Sequence, residues 1–285
     1  MCQAQQTTDK FFEYPVPPDE LETLEDRTSY LVQRFWDKCN LKSAIQKRDQ
    51  FKGAFIDYVS FMPYAEATVV HQSIDNLLAK FEKDPKNLLT LAEVAEEVVY
   101  NEDGEFISDE IYTPFAQAIV DNKKISSAEK ARFKRQLIQL KNTAINEKAP
   151  NFTFTRTDGT TSTLDDIQGS YILLFFNDPE CDDCALARVR LSADNNITEL
   201  IDRGYLKVIS IYPDKYTAEW AASVSHYSPK WIVGASDEVD DIYDMRNPPV
   251  LYYLNSRHKI LSKTLVVDGL LDAFRMVNNK LKETE

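Results

Sequence analysis

Cysteine is scarce in this 285-residue sequence, with four in all, at positions 2, 39, 181 and 184. That excludes a small disulfide-stapled scaffold, which packs several bridges into a much shorter chain. Long hydrophobic runs are lacking too. The longest, Tyr171 to Phe176, is strand-sized, and nothing approaches the roughly 20 apolar residues that span a bilayer. Basic charge is in deficit: 33 Lys and Arg stand against 46 Asp and Glu, a formal net charge of -13. Both halves share it, residues 1–150 carrying 19 basic and 25 acidic side chains and residues 151–285 carrying 14 and 21. Nucleic-acid binding needs clustered Lys and Arg. The densest basic run, Lys130 to Arg135, has the spacing of one solvated helix face instead. The three histidines, His71, His226 and His258, are scattered, which leaves no four-ligand zinc set. No metal or cofactor is called for.

What is present reads as two domains, as the length favours. Residues 1–17 form an N-terminal tail, 18–147 an α-helical domain of unknown function, and 148–285 an α/β domain. Apolar residues recur near helical spacing over Leu21–Cys39, and Asp49–Phe61 and Ala65–Phe81 follow, with a break at Pro63. Asn87–Val99 comes next. Ser108 caps a helix to Val120, and the Ser126–Glu129 segment opens another over 127–144. Cys39 is expected to be a buried helical cysteine. No strand is expected before residue 150.

The texture changes at Lys148-Ala149-Pro150. Asn151–Thr155 alternates with period two, Asp158-Gly159 signals a hairpin turn, and Thr160–Leu164 returns. Tyr171–Phe176 and Leu206–Tyr212 read as buried strands, with a helix from Cys181 to about Arg203 between them. A short helix over Thr217–Val224, strands at Val250–Leu254 and Lys259–Val266, and a closing helix over Asp268–Leu281 complete an α/β sandwich around a mixed sheet. His226 and His258 are expected at the surface. Trp220, Tyr227 and Trp231 fit either a substrate surface or half-buried packing, the latter being the commoner use of such aromatics.

Cys181-Asp182-Asp183-Cys184 carries the chemistry. A dithiol catalyst needs two sulfurs close enough to bond, with one open to attack. Cysteines at i and i+3 on the first turn of a helix share a face. The first sits where unpaired N–H groups and the helix dipole favour thiolate. The pair follows a buried strand and begins a helix, a context that favours redox work over half a zinc site or an inert disulfide.

Lys148-Ala-Pro-Asn-Phe-Thr153, Asp158-Gly159, Leu164, Leu173–Phe176 and the Cys pair resemble the opening of extracytoplasmic thioredoxin-like thiol–disulfide oxidoreductases. Tyr243-Asp-Met-Arg-Asn-Pro-Pro-Val-Leu-Tyr-Tyr-Leu254 is similar to that family's segment around its cis-proline. The whole chain looks like bacterial two-domain proteins with a helical domain of unknown function ahead of such a domain. The resemblance implies a thioredoxin-like fold for 148–285, with Cys181 as attacking thiol, Cys184 as resolving thiol and Pro249 as the cis-proline beside them. Glu180, Asp182, Asp183 and Pro248 are the candidates for substrate contact. Met1-Cys2 also resembles the lipid-acceptor cysteine of a bacterial lipoprotein, and an accidental cysteine in a frayed tail fits equally. The expected location is the periplasm or cell envelope, with a lipid anchor at Cys2 on the first alternative.

Three departures shape the expectation. Asp182-Asp183, with Asp178 and Glu180 upstream, replaces the family's common Gly-Pro. A unit charge about 6 Å from a thiolate costs roughly 1–3 kcal/mol at an effective dielectric of 20–40. Cys181 should therefore stay nearer an ordinary thiol than the depressed thiols of strong oxidants, which makes the couple reducing. Phe175 stands where the family often has a buried acid, so a proton for Cys184 must come from Asp183 or water. Pro248 has no N–H and loses one main-chain bond to an extended substrate. Asp178 replaces the Thr that peroxiredoxins carry three residues before the cysteine, which counts against peroxide reduction. The sequence thus points to thiol–disulfide exchange with protein or small-molecule partners, as reductase or isomerase ahead of oxidase, fed by an upstream electron donor. The competing reading is a non-catalytic envelope scaffold with a structural or relict Cys pair.

Overall fold

A computed structural model describes residues 11–263 and 266–283. The Cys2 assignment lies outside them. By internal contacts the chain divides into two units between Leu137 and Ile138.

The first unit is helical: α1 (Leu24–Arg34), α2 (Leu41–Ala44), α3 (Arg48–Ser60), α4 (Ala67–Phe81), α5 (Pro85–Val99), α6 (Asp109–Asp121) and the start of α7 (Ser127–Asn142). Caps set the boundaries. Thr23, Asp84 and Ser108 each accept a first-turn N–H of α1, α5 and α6, satisfying donors a helix cannot pair internally. Phe35, Phe51, Phe55, Tyr58 and Phe115 are fully buried; Phe35, Tyr58, Phe55 and Phe115 meet tilted or edge-on, and Phe51 stacks on Trp36. Cys39 departs from expectation: it is half-buried and follows the turn after α1, outside any helix. Burial pushes its thiol up to about 11.

The texture change stands at residue 148, ten residues past the contact division. The residues between belong structurally to the second unit. Gln139 and Asn142, in the last turns of α7, donate to the carbonyls of Asp240 and Ile242, and Asn146 donates to that of Ile260.

The second unit runs β1 (Thr153–Arg156), β2 (Thr161–Thr163), β3 (Tyr171–Phe176), α8 (Asp182–Ala193), α9 (Asn195–Asp202), β4 (Leu206–Tyr212), α10 (Ala218–Ser223), β5 (Ile232–Ala235), α11 (Val239–Ile242), β6 (Val250–Asn255), β7 (Ile260–Lys263) and α12 (Val267–Glu283). Its seven strands order as β2-β1-β5-β4-β3-β6-β7. β3, β4 and β5 are parallel, and the remaining pairings are antiparallel. β3 lies inside the sheet between β4 and β6, and its alternation splits the core. Ile172, Leu174 and Phe176 join one buried cluster, Leu173 and Phe175 the other. This is the mixed α/β sheet of a thioredoxin-like fold, in a chain whose first unit is helical. Among the described residues no helix is long and apolar enough to cross a membrane.

Elements of the second unit differ from expectation. β5 is an additional strand and α11 an additional short helix. The helix from Cys181 is interrupted at Asp194, whose side chain accepts the Ile197 N–H at 2.9 Å and starts α9. His258 is a further correction. It is 5% exposed rather than at the surface, because Nε2 donates to the Ile167 carbonyl at 2.9 Å and Nδ1 lies 3.2 Å from the Asp165 carboxylate. His226 is exposed.

The Lys148 ammonium first, and His258 after it, hold the Asp165 carboxyl below the usual range against a smaller desolvation effect. A depressed folded pKa contributes stability above the unfolded value of about 3.9 and loses it as pH falls further. Asp165→Asn is therefore expected to lower stability slightly at pH 7, with the gap from wild type closing as pH falls below about 4. The site's partial exposure keeps the effect small. Thermal unfolding at pH 7 and 3.5 checks this, and equal loss in both proteins would refute it.

Candidate active site

Because β3 pairs with β4 to its end, and the Asn177 N–H continues the ladder onto the Ile211 carbonyl, the chain leaves the sheet at a fixed point. Asp178-Pro179-Glu180 then turns it. The Asp178 side chain accepts the Glu180 N–H at 2.9 Å, and its carbonyl accepts that of Cys181 at 3.2 Å.

Cys181 is the N-cap of α8, one residue outside the helix it was expected to open. Its backbone is extended (φ -90°, ψ 114°), and its sulfur accepts the Cys184 N–H at 3.1 Å. The two cysteines form a disulfide with Cα atoms 5.2 Å apart, within the usual range. Their surroundings differ. Cys184 is fully buried, while Cys181 is partly exposed. An incoming sulfur therefore has access to Cys181 and not to Cys184.

Glu180, Asp182 and Asp183 are exposed around the pair, and Asp178 is partly so. Their field reaches Tyr212 at the end of β4. Its phenol is pushed up by desolvation, then by the charges of Asp214, Asp178 and Glu180. Beneath the motif Phe175 is fully buried, edge-on to Trp231 at 6.4 Å, so no ionisable group stands at that position.

The Pro248–Pro249 peptide bond is cis, and Asn247 before it adopts φ 59°. Pro249 and Asp183 line one groove of about 390 Å³, together with Leu186 and Arg190 of α8, Asn247, and Val266 ahead of α12. The disulfide joins Cys181 to Cys184, and Asp183, between them in sequence, lines the same groove as Pro249. Glu180 and Asp182 flank the same turn, and Pro248 is exposed beside Pro249. Leu186, Asn247 and Val266 were missed. Local pattern carries no signal for a groove assembled from three distant segments. Trp220, Tyr227 and Trp231 are buried at 6–7% exposure, which settles them as packing. Tyr227 accepts a hydrogen bond from Asn177 at 2.7 Å.

Residues 2–143 match the family model described as a domain of unknown function (DUF5106), and residues 145–269 match the AhpC/TSA family. A crystal structure of a thioredoxin-like protein from Bacteroides caccae is 26% identical over 94% of this chain and 99% of its own, with a TM-score of 0.78. The C-terminal domain of an uncharacterized protein from Bacteroides fragilis is 31% identical over 47% of this chain and 99% of its own, with a TM-score of 0.44. The thioredoxin domain of a thiol-disulfide oxidoreductase from Bacteroides vulgatus is 22% identical over 47% and 97%, with a TM-score of 0.42. No curated protein matches the chain. The chain thus joins a match to DUF5106 over residues 2–143 to a match to the AhpC/TSA family over residues 145–269, and the second region has a thioredoxin-like fold with a Cys-x-x-Cys disulfide at Cys181 and Cys184.

Proposed function

We propose that the protein reduces or isomerises disulfides of protein or small-molecule thiols in the cell envelope. The observation that carries the exchange chemistry is the unequal exposure of two bonded sulfurs at one helix start. In the reduced protein the Cys181 thiolate attacks a partner disulfide, the partner's S–S bond breaks, and one partner sulfur leaves as thiolate. Cys184 then gives up its proton, attacks Cys181 in the mixed disulfide and releases the second partner sulfur. Two electrons pass to the partner, and the protein ends as the Cys181–Cys184 disulfide. A donor upstream must return them. In isomerisation the partner's own thiol resolves the intermediate and no net electrons move.

The direction rests on charge. Asp178, Glu180, Asp182 and Asp183 disfavour another negative charge on sulfur, and a poorly stabilised thiolate favours the disulfide. The family resemblance supports an envelope location. Equilibration with glutathione buffers is expected to give a potential nearer the about -270 mV of thioredoxin than the about -120 mV of a strong periplasmic oxidant. A value near the oxidant would reverse the proposed direction. Insulin reduction with dithiothreitol tests exchange itself. No catalysis, with a disulfide that resists reduction, would favour the scaffold.

A further inference from the structure

We infer that the groove beside the disulfide docks a partner polypeptide carrying an apolar side chain and a basic side chain next to its reacting cysteine. This rests on the oxidoreductase reading and names the class of partner that the site takes.

The groove's wall is apolar where it is most open. Leu186 is 58% exposed and Val266 74%, and both line it with Pro249. Aliphatic side chains grouped at that exposure are a liability unless something covers them. A volume of about 390 Å³ lies at the small end of ligand pockets, suited to a short segment of chain. Asp183, which lines the groove, lies between the two cysteines in sequence.

Charge narrows the occupant further. Four carboxylates fall within Asp178–Asp183. Among the described residues the ion pairs draw on other acids and leave these four without Lys or Arg partners. Arg190, the basic side chain lining the groove, is itself paired with Asp268. A cationic group near the reacting sulfur therefore meets uncompensated negative charge, and an anionic one is repelled. A second copy of this chain, at -13 overall, is a poor occupant on the same ground.

The test uses disulfides formed between 2-mercaptoethanol and cysteine peptides identical except beside the cysteine. The pairs there are Leu with Lys, Leu with Glu, and Ser with Lys. Reduced protein is mixed with each and the second-order rate read at low and at 0.5 M salt. Lys with Leu is expected to react about 10- to 100-fold faster than Glu with Leu at low salt, the ratio shrinking in 0.5 M salt. Replacing the peptide's Leu by Ser is expected to cost severalfold, and Leu186→Ser in the protein to erase that difference. Asp183→Asn should reduce the charge ratio. Both variants change exposed side chains, so folding is not at issue. Equal rates for Lys and Glu peptides, or a charge effect with no response to Leu186→Ser, would overturn the inference. The neutral disulfide of 2-mercaptoethanol separates the two levels. If reduced wild-type protein fails to cleave it, the redox reading fails; if it cleaves it and ignores the peptides' charge, only the docking inference does.

Discussion

Cys184→Ser is expected to accumulate as stable mixed disulfides with its partners, whereas Cys181→Ser forms none. Both should lose multiple-turnover disulfide reduction by about 10³-fold or more, because attacking and resolving groups act as one unit. The asymmetry follows from burial. Cys181 sits outside the first turn of α8 and is partly exposed, while Cys184 has no accessible surface. In the Cys184→Ser protein the first attack proceeds and the intermediate has no intramolecular thiol to release it. In the Cys181→Ser protein the remaining thiol lies beyond reach of a partner's sulfur. Non-reducing electrophoresis with mass spectrometry reads the adducts. Adducts on Cys184 in the Cys181→Ser protein would invert the assigned roles. No adducts on either, in a protein purified reduced, would leave the pair structural.

Much of this site was legible in sequence because it is local. A strand, an i, i+3 cysteine pair and a helix start occupy fourteen consecutive residues, Tyr171 to Cys184. The Pro248-Pro249 bond was legible through resemblance. What sequence concealed depends on contacts between distant segments. β5 is four residues long and contains Gly234, too short and too interrupted for a period to register. It is a strand because β4 and β1 flank it and because the Phe154 ring lies where a side chain at 234 would go. The helix after the Cys pair reads as continuous, since Asp194 caps a new helix without breaking the apolar pattern. His258 looks like a polar turn residue until Asp165 and the Ile167 carbonyl, more than 90 residues upstream, are placed against it. Leu186 and Val266 looked like ordinary helical and strand apolar positions, and only the assembled surface leaves them bare.

The largest effect on stability is expected away from the cysteines, at Asp244. Its side chain is 3% exposed and that of Arg246 is 13%. Two bonds of the guanidinium, Nε to Oδ1 at 2.8 Å and Nη2 to Oδ2 at 2.6 Å, form a fork, and the Arg246 backbone N–H adds a third at 3.2 Å. The Asp244 carbonyl accepts the buried Tyr252 hydroxyl at 2.6 Å, and Tyr243 reaches the Pro150 carbonyl at the same distance. Together these bonds hold the segment that leads through Asn247 to Pro249 at the groove. Asp244→Asn keeps the shape and removes the charge, so the largely buried guanidinium loses the carboxylate that its fork grips. Breaking a buried pair from one side costs about 3–5 kcal/mol, a large share of the stability of an ordinary domain. Replacing both partners is a milder change, since the guanidinium goes together with the carboxylate. Asp244→Asn combined with Arg246→Met should therefore recover most of the loss. Urea denaturation of the four proteins in this cycle gives the coupling directly. Additive losses, or less than about 1 kcal/mol for Asp244→Asn, would show that the fork is no anchor for the loop. The same cycle reaches function, because a loosened loop moves Pro249 relative to Asp183 across the groove. Reaction with peptide disulfides should then fall more steeply than reaction with the small neutral disulfide of 2-mercaptoethanol, which needs Cys181 alone.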